Sequence, residues 1–253
     1  MNGLLVVLSL SLGNTLCGGT SQALYSHGGI VRMDTTDRFV YLVFTGHEYA
    51  EGGDCILETL RKQKVKASFF FTGDFFRNPA FRTLVASLHG EGHYLGPHSD
   101  KHLLYASWED RDSLLVTRAQ FMADLDGNLA AMESVGVPAA EAAYFMPAYE
   151  WYNDSIAAWC RGRGMTLVNF TPGTSSNADY TTPDMEARYV SSDSILARIL
   201  RYEAQSSCGL NGFLLLTHIG TSPARHDKFY LRLDSLITHL KREGYHFQRL
   251  GGQ

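Results

Sequence analysis

Cysteine is scarce in this chain of 253 residues: there are four, and no two of them form a Cys-x-x-Cys pair. Zinc sites built on thiolates and redox-active dithiols normally need such pairs, so neither kind of site is expected. One disulfide is compatible with this count in an exported protein. The sequence does not say which cysteines would form it.

A strong charge of either sign is also missing. The formal net charge is -4 and the isoelectric point is near 6.2, so we expect neither nucleic acid nor an anionic membrane as a partner. The chain has no internal repeat, which argues against a solenoid. No Pro-, Gly- and Ser-rich linker divides it, and residues 24–253 are therefore predicted to form one domain.

Hydrophobic runs long enough to span a bilayer are absent as well. The apolar run from Leu4 to Leu12 is too short for a permanent anchor. Small residues follow it, and the whole resembles a secretory signal cleaved near residues 21–23, although no Lys or Arg precedes it. We therefore expect residues 1–23 to be a signal peptide and the mature protein to be periplasmic or extracellular, without a membrane span. A buried strand is one alternative, and lipoprotein anchoring through Cys17 is a less favoured one.

Short apolar runs typical of buried strands alternate along the chain with amphipathic helical segments. The predicted strands lie within residues 38–44, 65–73, 93–99, 142–153, 165–173, 212–220 and 245–250. The predicted helices cover residues 54–64, 78–91, 117–135, 154–163, 192–204 and 227–243. This alternation predicts an α/β fold, with a parallel sheet in barrel or open form and helices outside it.

Several side chains with functional groups suited to catalysis or binding lie close to the predicted strand ends. These are His47, His98, Tyr149, Thr171 and His218. Parallel α/β folds carry their active sites on the loops that follow the carboxyl ends of the strands. We therefore expect these residues to share one site.

The segment "GPHSDKH" places His98 and His102 four residues apart. Imidazole is a common metal ligand, and two rings at this spacing share a face if the segment is helical. Ser99 and Asp100 stand where they could orient the rings. By itself the pair is also compatible with two surface histidines in a polar loop.

Five segments in order, "YLVFTGHE", "ASFFFTG", "GPHSDKH", "YFMPAYEW" and "LLLTHIG", resemble the motifs of the polysaccharide deacetylase family, also called the NodB-homology or carbohydrate esterase family 4 proteins. The resemblance covers about residues 38–250. It implies a distorted (β/α) barrel, a divalent metal (usually zinc), and hydrolysis of an N- or O-acetyl group on a carbohydrate. His98 and His102 match two metal ligands of the family, and His218 matches the histidine that protonates the leaving group.

The first motif departs from the family pattern. Where the family has Phe-Asp-Asp-Gly, this chain has Phe44-Thr45-Gly46-His47. Strict alignment puts Thr45 in the place of the catalytic base and Gly46 in the place of the third metal ligand, and neither can perform that role. A shift of one residue puts His47 at the ligand position. Three histidines would then hold the metal, as in other hydrolytic zinc sites.

The catalytic base is left open by this departure. Glu48 follows His47 and could accept a proton from a metal-activated water, or it could be a solvated loop carboxylate. Glu150 is a second candidate, because it replaces the glycine that is usual after Pro-x-Tyr in the family. Met146 stands in the place of the arginine that pairs with the family's catalytic aspartate, so both members of that charge pair are missing.

Residues around these loops suit a carbohydrate partner. By resemblance, Tyr149 offers a backbone N–H to the developing oxyanion. Trp151 lies in a polar, exposed-looking stretch, where its flat face could stack on a sugar ring. Asp179 could bind sugar hydroxyl groups, with turn formation as the alternative.

The favoured function is therefore a metal-dependent carbohydrate deacetylase. The missing Asp-Asp pair favours a second function, a non-catalytic glycan-binding protein that keeps the metal. A third is a metal-dependent hydrolase of another C–N or ester bond, because a fold does not fix the chemistry of its site.

Overall fold

A computed structural model describes residues 22–252. The apolar run and Cys17 of the predicted signal peptide lie outside the described residues. Within residues 22–252, none of the helices combines the length and the apolar character that crossing a membrane requires.

The described chain contains nine strands and seven α-helices. The strands are β1 (Leu24–Ser26), β2 (Gly29–Arg32), β3 (Phe39–Gly46), β4 (Ser68–Phe71), β5 (Tyr94–Pro97), β6 (Tyr144–Phe145), β7 (Thr166–Leu167), β8 (Phe213–His218) and β9 (His246–Phe247). The helices are α1 (Gly53–Gln63), α2 (Gly73–Arg77), α3 (Arg82–Gly90), α4 (Arg118–Ser134), α5 (Asp154–Gly162), α6 (Ser192–Gln205) and α7 (Leu233–Arg242).

Parallel pairing in the order β5-β4-β3-β8 builds the central sheet, and β9 pairs with the first residues of β3. The remaining strands continue around a distorted barrel through single contacts. Met146 N–H donates to the Pro97 carbonyl oxygen (3.2 Å), which joins β6 to β5. β7 pairs with β6, and an isolated bridge joins Val168 to Ile30 of β2. Met33 N–H then donates to the Gly212 carbonyl oxygen (2.8 Å) beside β8. These contacts complete the ring of strands, although the ladder of backbone hydrogen bonds between the described strands is interrupted at these points.

Side chains alternate between the two faces of each strand, so the buried residues form two separate hydrophobic cores. Phe69 and Phe71 of β4 belong to the larger cluster, which packs against the helices. Phe70, between them, points to the other face with Val43 and Leu214, inside the barrel. Since successive strand residues face opposite sides, a strand buried on both faces must be apolar throughout. This explains the continuous hydrophobic runs in the sequence.

Two parts of the fold were not predicted. The antiparallel hairpin of β1 and β2 is short and half exposed, so it lacks a hydrophobic run. Helix α2 ("GDFFR") follows β4 ("SFFF") with only Thr72 between them, so its own phenylalanine pair extends an apolar region that begins in the strand. Thr72 starts α2 by accepting a hydrogen bond from Phe75 N–H (3.1 Å), which is the usual role of an N-cap threonine.

Candidate functional site

A cavity of about 690 Å³ opens at the carboxyl ends of the central strands. We call it the histidine cleft. Of the nine site residues predicted from sequence, seven line it: His47, Glu48, His98, His102, Tyr149, Glu150 and His218. The fold therefore brings these seven side chains to one place. Thr171, which was also expected at this site, does not line the cleft: its hydroxyl donates to the Val31 carbonyl oxygen (2.6 Å) and accepts from Leu214 N–H (3.0 Å). Trp151 and Asp179 lie behind the wall of the cleft and contact residues that line it.

His98 is fixed immediately after β5. Its backbone N–H donates to Asn128 Oδ1 (2.8 Å), and its ring Nδ1 lies 2.9 Å from the Met146 carbonyl oxygen. Because a carbonyl only accepts, Nδ1 carries the proton, and Nε2 keeps its lone pair. Burial, together with the charge of His102, lowers the pKa of His98 well below its usual value. The ring is therefore neutral, which is the form that binds a metal.

His102 approaches His98 through a tight loop rather than along a helix face. Ser99 and His102 both adopt positive φ angles, 71° and 55°, and the two ring centroids lie 5.3 Å apart. Ser99 Oγ accepts a hydrogen bond from Leu103 N–H (2.9 Å), which closes the loop. Asp100 is paired with Arg77 (2.7 Å) and does not orient either ring. The spacing of the histidine pair was informative, but its helical interpretation was wrong.

The ring of His47 stacks on that of His102, with centroids 4.7 Å apart and planes 8° apart. His47 Nδ1 lies 3.0 Å from Thr72 Oγ1, the same hydroxyl that caps α2. Burial, followed by the electrostatic interactions with His47 and His218, lowers the pKa of His102 to about 3. Two strand ends and a loop thus bring His47, His98 and His102 together.

These three imidazoles suit a divalent transition metal in their donor chemistry, because His98 and His102 are neutral and the Nδ1 atoms of His47 and His98 are engaged elsewhere. Their arrangement is not that of a closed coordination shell. Across residues 22–252, no group of three or more His, Cys, Asp or Glu side chains is placed so that it could hold a metal ion.

The end of β3 has no room for a side chain at Gly46, the position that matches the family's third metal ligand. A Cβ atom on Gly46 would lie 2.8–2.9 Å from atoms of Ile219, Phe71 and Phe75, which is closer than real Cβ contacts come. Next to it, Thr45 Oγ1 is buried without a hydrogen-bond partner in the described structure. A carboxylate that serves this cleft must therefore come from another part of the chain.

Glu150 supplies a carboxylate from a different loop. Tyr149 and Glu150 both adopt left-handed backbone conformations, with φ angles of 59° and 53°, and each such non-glycine residue costs about 1–3 kcal/mol. The Glu150 side chain is 11% exposed, and its Oε1 lies 4.0 Å from His98 Nε2. Burial, with a further contribution from Asp179, raises the pKa of Glu150 to about 7, although His218 opposes the shift. A buried carboxyl on a strained backbone is a recurrent property of functional residues.

Glu48, the other candidate base, occupies a different environment. Its side chain is exposed at the rim of the histidine cleft, whereas Glu150 is enclosed beside His98. The placement of the two carboxylates therefore favours Glu150.

His218 ends β8 and is held by Asp179. The ring Nδ1 lies 2.6 Å from Asp179 Oδ1, and the backbone N–H of His218 donates to Oδ2 (2.9 Å). Burial alone would lower the pKa of His218, but the charge and hydrogen bond of Asp179 outweigh it, and the pKa is raised. Both oxygens of Asp179 are occupied by His218, so its contacts favour orienting that ring rather than binding sugar hydroxyls. The two residues are 39 positions apart, and no sequence motif links them.

An aromatic surface borders the cleft beside Tyr149. Trp108 lines the cleft and is 56% exposed. Trp151 packs beneath it, with ring centroids 5.0 Å apart. Its indole N–H donates to the Ser107 carbonyl oxygen (3.0 Å), and Arg111 covers its ring at 3.5 Å. Trp151 therefore supports Trp108, and Trp108 is the tryptophan that faces the cleft.

The strand order and the loop-borne cleft define the chain as an α/β barrel protein with its site at the carboxyl ends of the strands. A family model described as "Polysaccharide deacetylase" matches residues 32–168, more than half of the chain. The chain belongs to the polysaccharide deacetylase family, as its motifs indicated. A search of curated protein sequences finds no match.

Solved structures agree with this fold. A peptidoglycan N-acetylglucosamine deacetylase superposes with a TM-score of 0.69 and 20% identity, covering 88% of this chain and 91% of that one. The family 4 carbohydrate esterase PdaA from Bacillus subtilis gives 0.66 and 20%, covering 88% and 83%. A family 4 pseudoenzyme from Bacillus anthracis gives 0.66 and 19%, covering 89% and 68%. The predicted distorted (β/α) barrel is confirmed, and the coarse class is a carbohydrate deacetylase-like protein.

Proposed function

We propose that this protein is a metal-dependent hydrolase that removes acetyl groups from a carbohydrate, and that Glu150 is its catalytic base. The observation that carries the proposal is the position of Glu150. It is a buried carboxyl beside His98, in a cleft where Thr45 and Gly46 stand in the places of the family's two carboxylates and Gly46 has no room for a side chain. Family membership supports the reaction class.

The metal belongs to the proposal. His47, His98 and His102 would hold a divalent ion, most simply Zn²⁺, since all three are nitrogen donors and the pKa of both His98 and His102 is lowered. Such an ion, when bound, polarises the acetyl carbonyl and makes a water molecule more acidic. To coordinate one ion, the rings of His47 and His102 would have to leave their stacked arrangement.

Glu150 would take the proton of the attacking water. A general base works best when its pKa lies near the working pH, and the buried position raises the pKa of Glu150 to about 7. Ionisation of a buried carboxyl is unfavourable, so its conjugate base holds a proton more strongly than an exposed carboxylate does. Glu48 is exposed at the rim and is not enclosed in this way.

His218 would protonate the leaving amine or alcohol. Asp179 fixes its Nδ1 side at 2.6 Å, which directs the opposite edge of the ring, with Nε2, away from the carboxylate. The raised pKa favours the protonated imidazole, which is the form that a general acid requires. Asp179 is thus a positioning residue. Tyr149 is proposed to offer its backbone N–H to the oxyanion.

A non-catalytic glycan-binding protein is the second candidate. The absent Asp-Asp pair favours it, and one structural neighbour is described as a pseudoenzyme. The intact pairing of His218 with Asp179 favours the enzyme, because binding alone gives no reason to hold a protonated imidazole in place.

Release of acetate tests the proposal. The protein, supplied with Zn²⁺, is incubated with N-acetylglucosamine oligomers and with O-acetylated xylose oligomers, and acetate is measured enzymatically. We expect acetate from one of the two classes, and loss of that activity in a His218→Ala variant. Glycan binding without acetate release from either class would support the second candidate instead. Export from the cell, also a proposal, is tested by N-terminal sequencing of the mature protein.

A further inference from the structure

The side chain of Arg225 is completely buried, although it carries a positive charge. A buried charge is costly unless it is hydrogen-bonded. Nε donates to the Asp227 carbonyl oxygen (2.6 Å), and Nη2 donates to the Val190 carbonyl oxygen (3.0 Å) and to Ser192 Oγ (3.2 Å). Nη1 donates to the carbonyl oxygen of Thr181 and, at 3.5 Å, to its Oγ1. All five N–H groups of the guanidinium therefore have an acceptor.

The acceptors belong to three separate segments of the chain. The first segment directly follows the 3₁₀ turn Ser176–Tyr180, the second leads into α6, and the third follows β8. Three of the five acceptors are backbone carbonyl oxygens, so the guanidinium fixes the paths of these segments rather than the side chains on them. One rigid, planar cation thus sets the distances between all three segments.

Two of these segments carry the proposed general acid and its partner. Asp179 lies in the 3₁₀ turn, and His218 ends β8. Thr181 is tied back to that turn, because its N–H (3.0 Å) and its hydroxyl (2.7 Å) both donate to the Ala178 carbonyl oxygen. The bonds from Arg225 to Thr181 therefore connect the turn that holds Asp179 to the loop that follows His218.

The segment that follows the turn also forms one wall of the histidine cleft. Its residues at the cleft are Tyr180, Thr182, Asp184 and Met185. Between Thr181 and Ser191 the described structure contains one 3₁₀ element, Pro183–Arg188, within which Glu186 has a φ angle of 48°. Because no strand ladder or α-helix holds this wall, its position depends on bonds to other segments, and the buried guanidinium supplies several of them.

We propose that Arg225 is a positioning residue, which holds the turn that carries Asp179 against the end of β8 so that Asp179 can orient the ring of His218. The proposal rests on the proposed function, because it takes His218 as the general acid. Since its guanidinium is buried, Arg225 acts through Asp179 and not on the substrate.

A simple effect of the charge of Arg225 would have the opposite sign. Burial lowers the pKa of His218, but the charge and hydrogen bond of Asp179 outweigh it. Of the other charged groups that act on His218, Glu150 raises this pKa and Arg225 lowers it. Loss of the charge alone would therefore raise the pKa of His218, whereas displacement of Asp179 would lower it. The direction of the change separates the two effects.

Arg225→Met tests the proposal directly, because it removes the guanidinium and keeps an unbranched apolar side chain in its place. Arg32→Met is the matched control. Arg32 also donates to backbone carbonyl oxygens, those of Asn211 (2.8 Å) and Gly209 (2.9 Å), but these precede β8 and lie at the end of that strand opposite His218. Thermal unfolding of both variants checks that the fold is retained.

Thr181→Val is a milder test of the same connection. It removes the hydroxyl that donates to Ala178 and accepts from Val190 N–H (3.0 Å). Thr171→Val is its matched control, because the buried Thr171 hydroxyl also donates to a backbone carbonyl oxygen and accepts from a backbone N–H. The partners of Thr171 lie in β2 and β8 and not in the turn that carries Asp179.

The pKa of His218 is measured by NMR in metal-free protein with isotopically labelled histidine, and its signal is assigned by its absence in His218→Ala. We expect this pKa to fall in Arg225→Met and, by a smaller amount, in Thr181→Val. With the oligomer class that the wild type deacetylates, kcat of Arg225→Met should fall about a hundredfold, as for a misplaced catalytic group, with a smaller change in KM. The alkaline decline of kcat/KM should move to lower pH, and both controls should behave as the wild type.

The outcomes separate this inference from the proposed function. An unchanged or raised pKa of His218 in Arg225→Met would overturn the inference even if activity fell, because a weakened fold also reduces activity. If Arg225→Met does not fold, Thr181→Val decides in the same way. No acetate release by the wild type would contradict the proposed function, whereas a lowered pKa of His218 in the variants would still support the role of Arg225 in holding Asp179.

Discussion

Asp179 accepts two hydrogen bonds from His218, one from the ring at 2.6 Å and one from the backbone N–H at 2.9 Å. The two residues come from separate elements, β8 and the 3₁₀ turn Ser176–Tyr180. The carboxylate is 3% exposed, so little solvent weakens the attraction. This pairing sets both the orientation and the charge of the proposed general acid.

Replacing the carboxylate should therefore change the pH dependence of the reaction. In Asp179→Asn the attraction that raises the pKa of His218 is lost, and burial alone lowers that pKa. Because His218 must be protonated to act, the alkaline decline of kcat/KM should move to lower pH. Asp184→Asn, which alters an exposed carboxylate lining the same cleft, should leave the decline in place. If kcat/KM of Asp179→Asn declined at the same alkaline pH as that of the wild type, the role assigned to Asp179 would be contradicted.

The strain at Glu150 predicts that its removal stabilises the fold. In metal-free protein, Glu150→Gly should raise the free energy of unfolding by about 1–3 kcal/mol, because glycine accepts a positive φ and the buried carboxyl is removed. The pKa of Glu150 is raised to about 7 in the folded protein, so its ionisation opposes folding only as the pH rises above the unfolded-state pKa near 4.5. The gain should thus be larger at about pH 8 than at about pH 4.

Ser175→Gly is the matched control for that measurement. Ser175 has nearly the same φ, 55°, without a buried charge, so its gain should come from the backbone alone and be the same at both pH values. If Glu150→Gly destabilised the protein, or showed no more pH dependence than Ser175→Gly, the description of Glu150 as a strained, buried carboxyl would be wrong.

The closed end of β3 predicts that the family's usual carboxylate cannot be restored there. Gly46→Asp should destabilise the protein by about 1–3 kcal/mol or more in urea unfolding, because three neighbouring side chains already occupy the space. Gly90→Ala is the control, since nothing lies within 4 Å of a Cβ atom added at that position. A stable Gly46→Asp variant with increased acetate release would refute this reading of the packing.

The proposed metal site at His47, His98 and His102 is directly testable. Calorimetric titration of metal-free protein with Zn²⁺ should show a single site. Both His98→Ala and His47→Ala should weaken it by roughly tenfold or more, since even residues that only support a ligand contribute that much. His226→Ala, at an exposed position outside the cleft, should bind as the wild type does. Unchanged affinity in both ligand variants would show that the metal, if any, is held elsewhere.

Much of the fold could be predicted because strands buried on both faces require continuous apolar runs, as in β3, β4 and β8. The histidines were found because their order and spacing resemble a known family. Other features depend on contacts between distant segments. The closure at Gly46 results from Phe71, Phe75 and Ile219, which belong to three different segments.

The roles of the remaining site residues also depend on contacts that the sequence alone does not reveal. Asp179 meets His218 only through the loop that follows β7, and Trp108 becomes a cleft residue only because Trp151 packs beneath it. Glu150 could be nominated from sequence because it breaks a family pattern. Its burial, and hence its advantage over Glu48, could not be predicted, because burial depends on the packing of the whole cleft.

The most direct test of the account compares the two candidate bases. Acetate release is measured for Glu150→Gln and Glu48→Gln, with zinc content and thermal unfolding recorded for each variant. Loss of a general base costs about a hundredfold to ten-thousandfold in rate. We predict a loss of that size in Glu150→Gln with zinc retained, and a near-normal rate in Glu48→Gln. Full activity in Glu150→Gln would contradict it.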